Sequence, residues 1–294
     1  MSAASSLESR FFNHSGGIHI HYQAGGHGPV ALVFLHGFAS SHDTWHDLAG
    51  HFPADRFKIF LVDLKGFGLS AKPRDGAYTV GDQVAMVHAL IRELGLRSLI
   101  LIGHSLGGAV ALRLCLQIRE GVQPFEVERL VLIGCAAYPQ KLPKFFRRLK
   151  SPWLGPLLLR LIPSRKMAQA TLEKVYFDQS AVTPARISRY ARYFRGRGTS
   201  YALRATVKRI DPAEYEGMGE EYAKLTLPTM IIWGEADRIV KLKNGLRLHQ
   251  DIPGSQLKLL ERCGHTPHEE RPQDTFAAIE PFFAAHSPES FKTS

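Results

Sequence analysis

The chain has 294 residues, 45% of them hydrophobic, and its formal net charge is +10 at pH 7. This composition suffices for a single sizeable core. Residues 1–13 lack the basic start and long apolar stretch of a secretory signal, and no apolar run approaches the ~20 residues needed to span a bilayer. Cysteines at 115, 135 and 263 have neither metal-site spacing nor the even number of a disulfide framework, so we expect a cytoplasmic protein.

Strands and helices are predicted to alternate through the first half of the chain. Apolar runs predict strands over residues 18–22, 30–35, 58–63, 98–102 and 129–133. Between the third and fourth strands, Thr79 and Asp82 form a helix-capping pattern, and Gly95 marks the end of that helix. This alternation predicts an α/β fold with a mostly parallel central sheet and helices on both faces.

The pattern changes between residues 138 and 222, where prolines and short amphipathic helices replace the strand signals. Thr183 and Pro184 predict a helix start. The apolar face of that helix is formed by Ile187, Tyr190, Ala191 and Phe194. We interpret this segment as a helical cap inserted in the core, placed to exclude water and shape an acyl or alcohol pocket.

Strand patterns return over residues 229–233 and 256–260. The predicted domains are therefore an α/β core of residues 17–137 and 223–286, interrupted by the cap at 138–222. Residues 1–16 and 287–294 are expected to be tails.

The most informative motif is Gly-His-Ser-Leu-Gly at residues 103–107, directly after a predicted strand. A serine on a sharp strand-to-helix turn stands clear of the sheet as a nucleophile, and the next backbone N–H, that of Leu106, faces the developing oxyanion. Gly103 and Gly107 lack the Cβ atoms that would collide in so tight a turn. The motif therefore predicts that Ser105 is a catalytic nucleophile.

A carboxylate and then a histidine follow Ser105 along the chain. This is the order found where a nucleophilic serine lies on such a strand-to-helix turn. Asp237 and His265 each follow a predicted strand, at the sheet edge where sites in α/β proteins are built. Glu235 is the alternative carboxylate and His268 the alternative histidine. We predict a triad of Ser105, His265 and Asp237.

Four motifs resemble those of the α/β-hydrolase superfamily, in its capped, serine-nucleophile branch, and the likeness spans about residues 17–283. They are His36-Gly37-Phe38, the run from Asp63 to Ser70, the serine turn, and the run from Gly264 to Pro272. The resemblance implies that the Phe38 N–H is the second oxyanion donor beside that of Leu106, and that His265 is the base. We also expect His36, Gly37 and His104 to lie beside the substrate.

The residue at position 105 distinguishes branches of that superfamily. Epoxide hydrolases and haloalkane dehalogenases have aspartate there, whereas serine suits acyl transfer. Carbon–carbon bond hydrolases often have asparagine before the serine, so His104 argues mildly against that branch. The prediction is a hydrolase of carboxylic esters or thioesters acting through an acyl-enzyme, with no cofactor. A carbon–carbon bond hydrolase, an acyltransferase, a perhydrolase and a ligand-binding pseudoenzyme stay as alternatives.

The basic charge is concentrated in the predicted cap. Residues 138–210 hold 17 Lys and Arg against two acidic residues, a net charge of +15, so the rest of the chain is at −5. One interpretation is an anionic partner, either a membrane surface or an acidic acyl-carrier protein, and a merely solvated face is an equal alternative. No nucleic-acid-binding motif accompanies the charge.

Two other groups are interpreted as structural. His19 and His21 share a strand face, yet no carboxylate or thiolate companion is visible in the sequence, so metal binding there is not predicted. The residues from Asp63 to Ser70 are expected to be turn scaffolding.

Overall fold

The computed structural model describes residues 1–119, 123–140, 144–210 and 217–284. The predicted C-terminal tail at 287–294 lies outside these ranges. Within them, the three cysteines are buried and form no disulfide: Cys115, Cys135 and Cys263. No described helix has the length and apolarity that crossing a membrane requires.

An eight-stranded sheet forms the centre of the molecule, in the order β1-β2-β4-β3-β5-β6-β7-β8. The strands are β1 Glu8–His14, β2 Ile18–Gly25, β3 Val30–Leu35, β4 Phe57–Val62, β5 Ser98–His104, β6 Glu126–Ile133, β7 Thr229–Gly234 and β8 Gln256–Leu260. β1 pairs antiparallel with β2, and β2 with β4, whereas the pairs from β4 to β8 are parallel. The predicted fold class is confirmed.

Helices cover both faces of this sheet. Those outside the inserted region are α1 His46–Ala49, α2 Val80–Glu93, α3 Leu106–Ile118, α10 Leu242–Asp251, α11 Pro267–Glu270 and α12 Pro272–Ala284. Alternate residues of β3 enter opposite layers of the core: Val33 packs with α2 and α3, while Phe34 packs with α1 and α12. Burial on both faces explains why the central strands are continuous apolar runs.

The inserted region between β6 and β7 is helical. Its helices are α4 Lys144–Lys150, α5 Leu154–Leu161, α6 Ser164–Val175, α7 Pro184–Tyr193, α8 Thr199–Lys208 and α9 Met218–Tyr222. This arrangement agrees with an inserted cap, while the boundaries at 138 and 222 stay a prediction. A small apolar cluster joins Ala168 and Leu172 of α6 to Ile187 and Tyr190 of α7.

Local capping signals are also confirmed. Thr79 and Asp82 form a reciprocal capping box at the start of α2, and Gly95 follows the helix with a φ of +63°. The Thr183 side chain accepts the Arg186 N–H at the start of α7. One difference concerns the N-terminal tail, because residues 8–14 of that segment form β1 at the edge of the sheet.

Candidate active site

Ser105 lies in a strained turn between β5 and α3. Its φ of +52° and ψ of −112° are unusual for a residue other than glycine, and such strain is concentrated at functional sites. The Ser105 N–H donates to the Ile133 carbonyl on β6 at 3.0 Å, which fixes the turn against the sheet. A Cβ on Gly103 would lie 2.5 Å from the Gly107 carbonyl oxygen, and one on Gly107 2.1 Å from that of Leu35. Both positions therefore require glycine, as the motif predicts.

Asp237 and His265 meet in space after β7 and β8. The His265 Nδ1–H donates to Asp237 Oδ2 at 2.7 Å, and both side chains are buried. The other carboxylate oxygen of Asp237 accepts the N–H groups of Ile239 and Val240, at 2.7 and 2.9 Å. Glu235, the alternative carboxylate, is exposed. The structure thus pairs His265 with Asp237 and fixes the tautomer of the imidazole, leaving Nε2 as the free acceptor.

A cavity of about 280 Å³ lies between the core and the inserted helices. Ser105, His265 and Phe38 line its core side, and its surface is mostly apolar. Its other wall comes from the inserted helices α6, α7 and α8 and the segments that follow α5 and α7. These contribute Ile162, Lys166, Met167, Ala170, Thr171, Lys174, Val175, Tyr190, Phe194 and Leu203. The cavity can therefore hold an apolar group beside the serine and the histidine.

The two predicted oxyanion donors belong to the residue after Ser105 and to a loop that lines the same cavity. Leu106 is the first residue of α3, where helical N–H groups have no intrahelical acceptor and favour negative charge. Phe38 lines the cavity on the loop after β3. Their role as donors stays a prediction.

His36 and Gly37, expected beside the substrate, are not among the residues that line the cavity. His36 is fully buried, and its Nδ1–H donates to the Gly37 carbonyl while Nε2 accepts the Leu64 N–H. Burial lowers the pKa of His36 to about 4, so the ring is neutral at pH 7. Both ring nitrogens thus form hydrogen bonds with backbone groups, and His36 stabilises the loop that follows β3. A Cβ on Gly37 would lie 3.2 Å from that of Ser105.

His104 lines the cavity and packs against His265, with 4.7 Å between ring centroids. Its Nε2–H donates to the His265 carbonyl at 2.9 Å. Burial, with the neighbouring His268 and His265, holds the pKa of His104 well below its usual range. His104 is therefore a neutral support for the segment that carries His265. His268, the alternative histidine, is hydrogen-bonded through Nε2 to Thr44 Oγ1 at 3.0 Å, and it is not among the residues that line the cavity.

Glu269 was not singled out from the sequence. It is fully buried on α11, and the Tyr190 hydroxyl of α7 donates to its Oε2 at 2.5 Å. Burial raises the pKa of Glu269 to about 7, against the opposing effects of Tyr190, Arg186 and Arg189. Its partner Tyr190 is 79 positions away along the chain, so the sequence gives no local sign of the contact. The one signal for Glu269 is an acidic residue in a helix turn that is otherwise buried.

Glu270 ties the His265 segment to the inserted helices. Its carboxylate accepts the N–H groups of Gly264 and Phe177, and that of Asp178 at 2.9 Å. The His265 N–H donates to the Val175 carbonyl at the end of α6, at 2.6 Å. The position of His265 therefore depends on hydrogen bonds from both sides of the cavity.

The expectation that His21 lacks a carboxylate companion is wrong. Its Nδ1–H donates to Asp63 Oδ2 at 2.8 Å, and His42 Nδ1–H donates to the same carboxylate at 2.9 Å. Burial alone would raise the pKa of Asp63, but the hydrogen bonds from His21 and His42 hold it well below its usual range. A metal ion at this cluster would have to displace both N–H donors. Asp63 also accepts the N–H groups of His42 and Leu69, which supports the predicted scaffolding role.

Comparison with known proteins agrees with this architecture. The family described as the alpha/beta hydrolase fold matches residues 30–272. The chain belongs to this family. Within it, the chain is 31% identical to the uncharacterized hydrolase YugF of Bacillus subtilis over 254 residues, which is 86% of this chain and 89% of the relative.

Two further relatives carry more specific names. A 2-hydroxy-6-oxononadienedioate/2-hydroxy-6-oxononatrienedioate hydrolase of Pseudomonas sp is 29% identical over 262 residues, 84% of this chain and 85% of the relative. The crystal structure of a membrane phospholipase A, described as a bacterial virulence factor, is similar with a TM-score of 0.78 and 27% identity. That likeness covers 96% of this chain and 87% of the other. The names of these two relatives therefore point to different substrates.

Proposed function

We propose that this alpha/beta hydrolase cleaves a carboxylic ester or thioester through an acyl-enzyme on Ser105. The observation that carries the proposal is the 2.7 Å hydrogen bond between His265 and buried Asp237, together with the cavity that Ser105 and His265 line in common. A phospholipase among the similar structures supports an ester substrate. The apolar cavity wall supports an acyl chain or an apolar alcohol as the bound group.

In the proposed reaction, His265 Nε2 accepts the Ser105 hydroxyl proton while Oγ attacks the carbonyl carbon. Asp237 stabilises the imidazolium through the Nδ1–H that it already accepts. The Leu106 and Phe38 N–H groups hold the tetrahedral oxygen, and one such donor contributes about 10²–10³ in rate. His265 then protonates the leaving alcohol or thiol, and water activated by His265 releases the acid.

Replacing the nucleophile tests the proposal. We expect Ser105→Ala to lower kcat on short p-nitrophenyl esters by about 10⁶-fold, since triad members act as one unit. A fluorophosphonate probe should label the wild-type protein and not the variant. Wild-type turnover in the variant would refute Ser105 as the nucleophile, and a wild-type protein that neither reacts with the probe nor turns over an ester would favour the pseudoenzyme alternative.

A second candidate is hydrolysis of a carbon–carbon bond in a vinylogous diketone. The specific observation for it is the 29% identity to the dioate hydrolase of Pseudomonas sp. Lys166 and Lys174 on the cavity wall give a distal carboxylate a place to bind. Comparing kcat/KM for esters and vinylogous diketones separates the two functions, because the same triad serves both and the preferred electrophile differs.

A further inference from the structure

Helix α5 carries an apolar surface that the rest of the described protein does not cover. Trp153 is 86% exposed, and Leu154, Leu157 and Leu161 are 41%, 51% and 67% exposed. The three leucines follow helical spacing and so share one side of α5. We call these four residues the α5 apolar face. Among the described residues, they are half of the eight large apolar side chains that are exposed.

Basic side chains lie on α5 itself and on the helices before and after it. Arg147 and Arg148 on α4, Arg160 on α5 and Lys166 on α6 are exposed. Within the described ranges, none of these four pairs with a carboxylate at ion-pair distance. An exposed apolar face flanked by unneutralised cations is the pattern of a helix that lies in the surface of an anionic membrane.

The chain continues from α5 to the wall of the cavity of Ser105. Ile162, the residue after α5, lines that cavity, as do Lys166 and Lys174 of α6. Both lysines are also exposed, so they contact the cavity and solvent. A lipid that leaves the membrane beside α5 would pass its apolar chain into the cavity, while its anionic headgroup stays near the two ammonium groups.

We propose that the α5 apolar face inserts into the surface of an anionic phospholipid bilayer and that the protein takes lipid esters from it. The use of the bilayer as a substrate source rests on the proposed ester hydrolase function, whereas the docking itself does not. The partner is a lipid surface because attraction of an acidic protein by charge does not account for the exposed apolar side chains. Four neighbouring large apolar side chains, one of them a tryptophan suited to the interface, gain most from an acyl-chain environment.

Vesicle sedimentation with Ser105→Ala tests docking separately from turnover, since this variant leaves the lipid intact. We expect binding to vesicles that contain phosphatidylglycerol at about 0.05 M salt, and weaker binding at about 1 M salt, where charges are screened beyond about 3 Å. Vesicles of phosphatidylcholine alone should bind less. Absence of binding at low salt, or equal binding to both vesicle types, would overturn the proposal.

Two variants distinguish insertion from simple attraction of charge. Replacing Leu157 and Leu161 together by serine should lower the partition coefficient by about 10-fold or more, because the apolar area is lost while the charge is unchanged. Leu246→Ser is the matched control, since Leu246 is a similarly exposed leucine on α10 (42%). An equal effect of the control, or none for the double variant, would contradict the assigned face.

Charge and catalysis are tested in the same background. Changing Arg147, Arg148 and Arg160 to glutamine should weaken binding by about 100-fold at low salt. The double leucine variant should hydrolyse a soluble p-nitrophenyl ester normally and a vesicle-embedded ester slowly. If wild-type protein binds vesicles but hydrolyses neither the soluble nor the vesicle-embedded ester, the membrane-docking proposal stands and the ester hydrolase proposal fails. If an acidic acyl-carrier protein binds and vesicles do not, docking fails.

Discussion

Glu269 should make the stability of this protein depend on pH in a way that one substitution removes. The carboxyl is fully buried, and burial raises its pKa from 4.5 to about 7. In the unfolded chain the group loses its proton near its ordinary pKa, whereas in the folded protein it keeps the proton until about pH 7. Between these two values only the folded state binds the proton, so the free energy of unfolding falls as pH rises.

The size of the effect follows from the two pKa values. A rise from 4.5 to about 7 corresponds to about 3 kcal/mol, at about 1.36 kcal/mol for each pKa unit. The contribution of Glu269 is therefore fully favourable below about pH 4.5 and lost above about pH 7. Glu269→Gln removes the titrating group and keeps a side chain of similar shape. As pH rises from about 4.5 to about 7, the free energy of unfolding of the variant should increase by about 3 kcal/mol relative to that of wild type. Any pH-independent difference in stability between the two proteins does not alter this change.

Urea unfolding of both proteins from about pH 4.5 to 9 measures this difference. Subtracting the two curves cancels the other titrating groups, and Glu235→Gln, which removes one exposed carboxylate, is the matched control. Tyr190→Phe should move the inflection to higher pH, because it deletes the hydroxyl that favours the carboxylate. A difference between wild type and Glu269→Gln that is constant across this range would refute the reasoning.

The remaining predictions concern the site and the scaffold. Asp237→Asn should lower kcat by about 10⁴-fold with little change in KM, because the amide no longer selects the reactive tautomer of His265, and steady-state kinetics checks this. Asp63→Asn should cost about 3–5 kcal/mol in the free energy of unfolding, since it removes the buried carboxylate that accepts hydrogen bonds from His21 and His42, and chemical denaturation measures that loss. Thr79→Ala should cost about 1 kcal/mol by the same measurement, through loss of the α2 capping box.

The central strands could be predicted from the sequence because their burial leaves a clear pattern. β3 and β8 have the predicted bounds, and β7 ends one residue later than expected. β1 was missed because it is a polar edge strand with four exposed residues in succession. An edge strand has pairing on one side and little core contact, so its sequence need not be apolar.

The polar contacts around the site were less predictable because they join distant parts of the chain. His21 and Asp63 are 42 positions apart, and Tyr190 and Glu269 are 79 apart. Order along the chain indicated Asp237 and His265 as candidates. The choice of Asp237 over Glu235 follows from the direction in which the segment after β7 turns its side chains.

The hydrogen bond from the His265 backbone to Val175 has a consequence for protein engineering. The inserted region holds the His265 segment directly through the Val175 carbonyl at the end of α6, and indirectly through the Phe177 and Asp178 N–H groups, which donate to Glu270. Exchange of these helices for those of a relative, as a means to alter selectivity, would therefore also disturb the position of His265. A chimera should retain residues 175–178 from this chain and vary α5 and α7 around them.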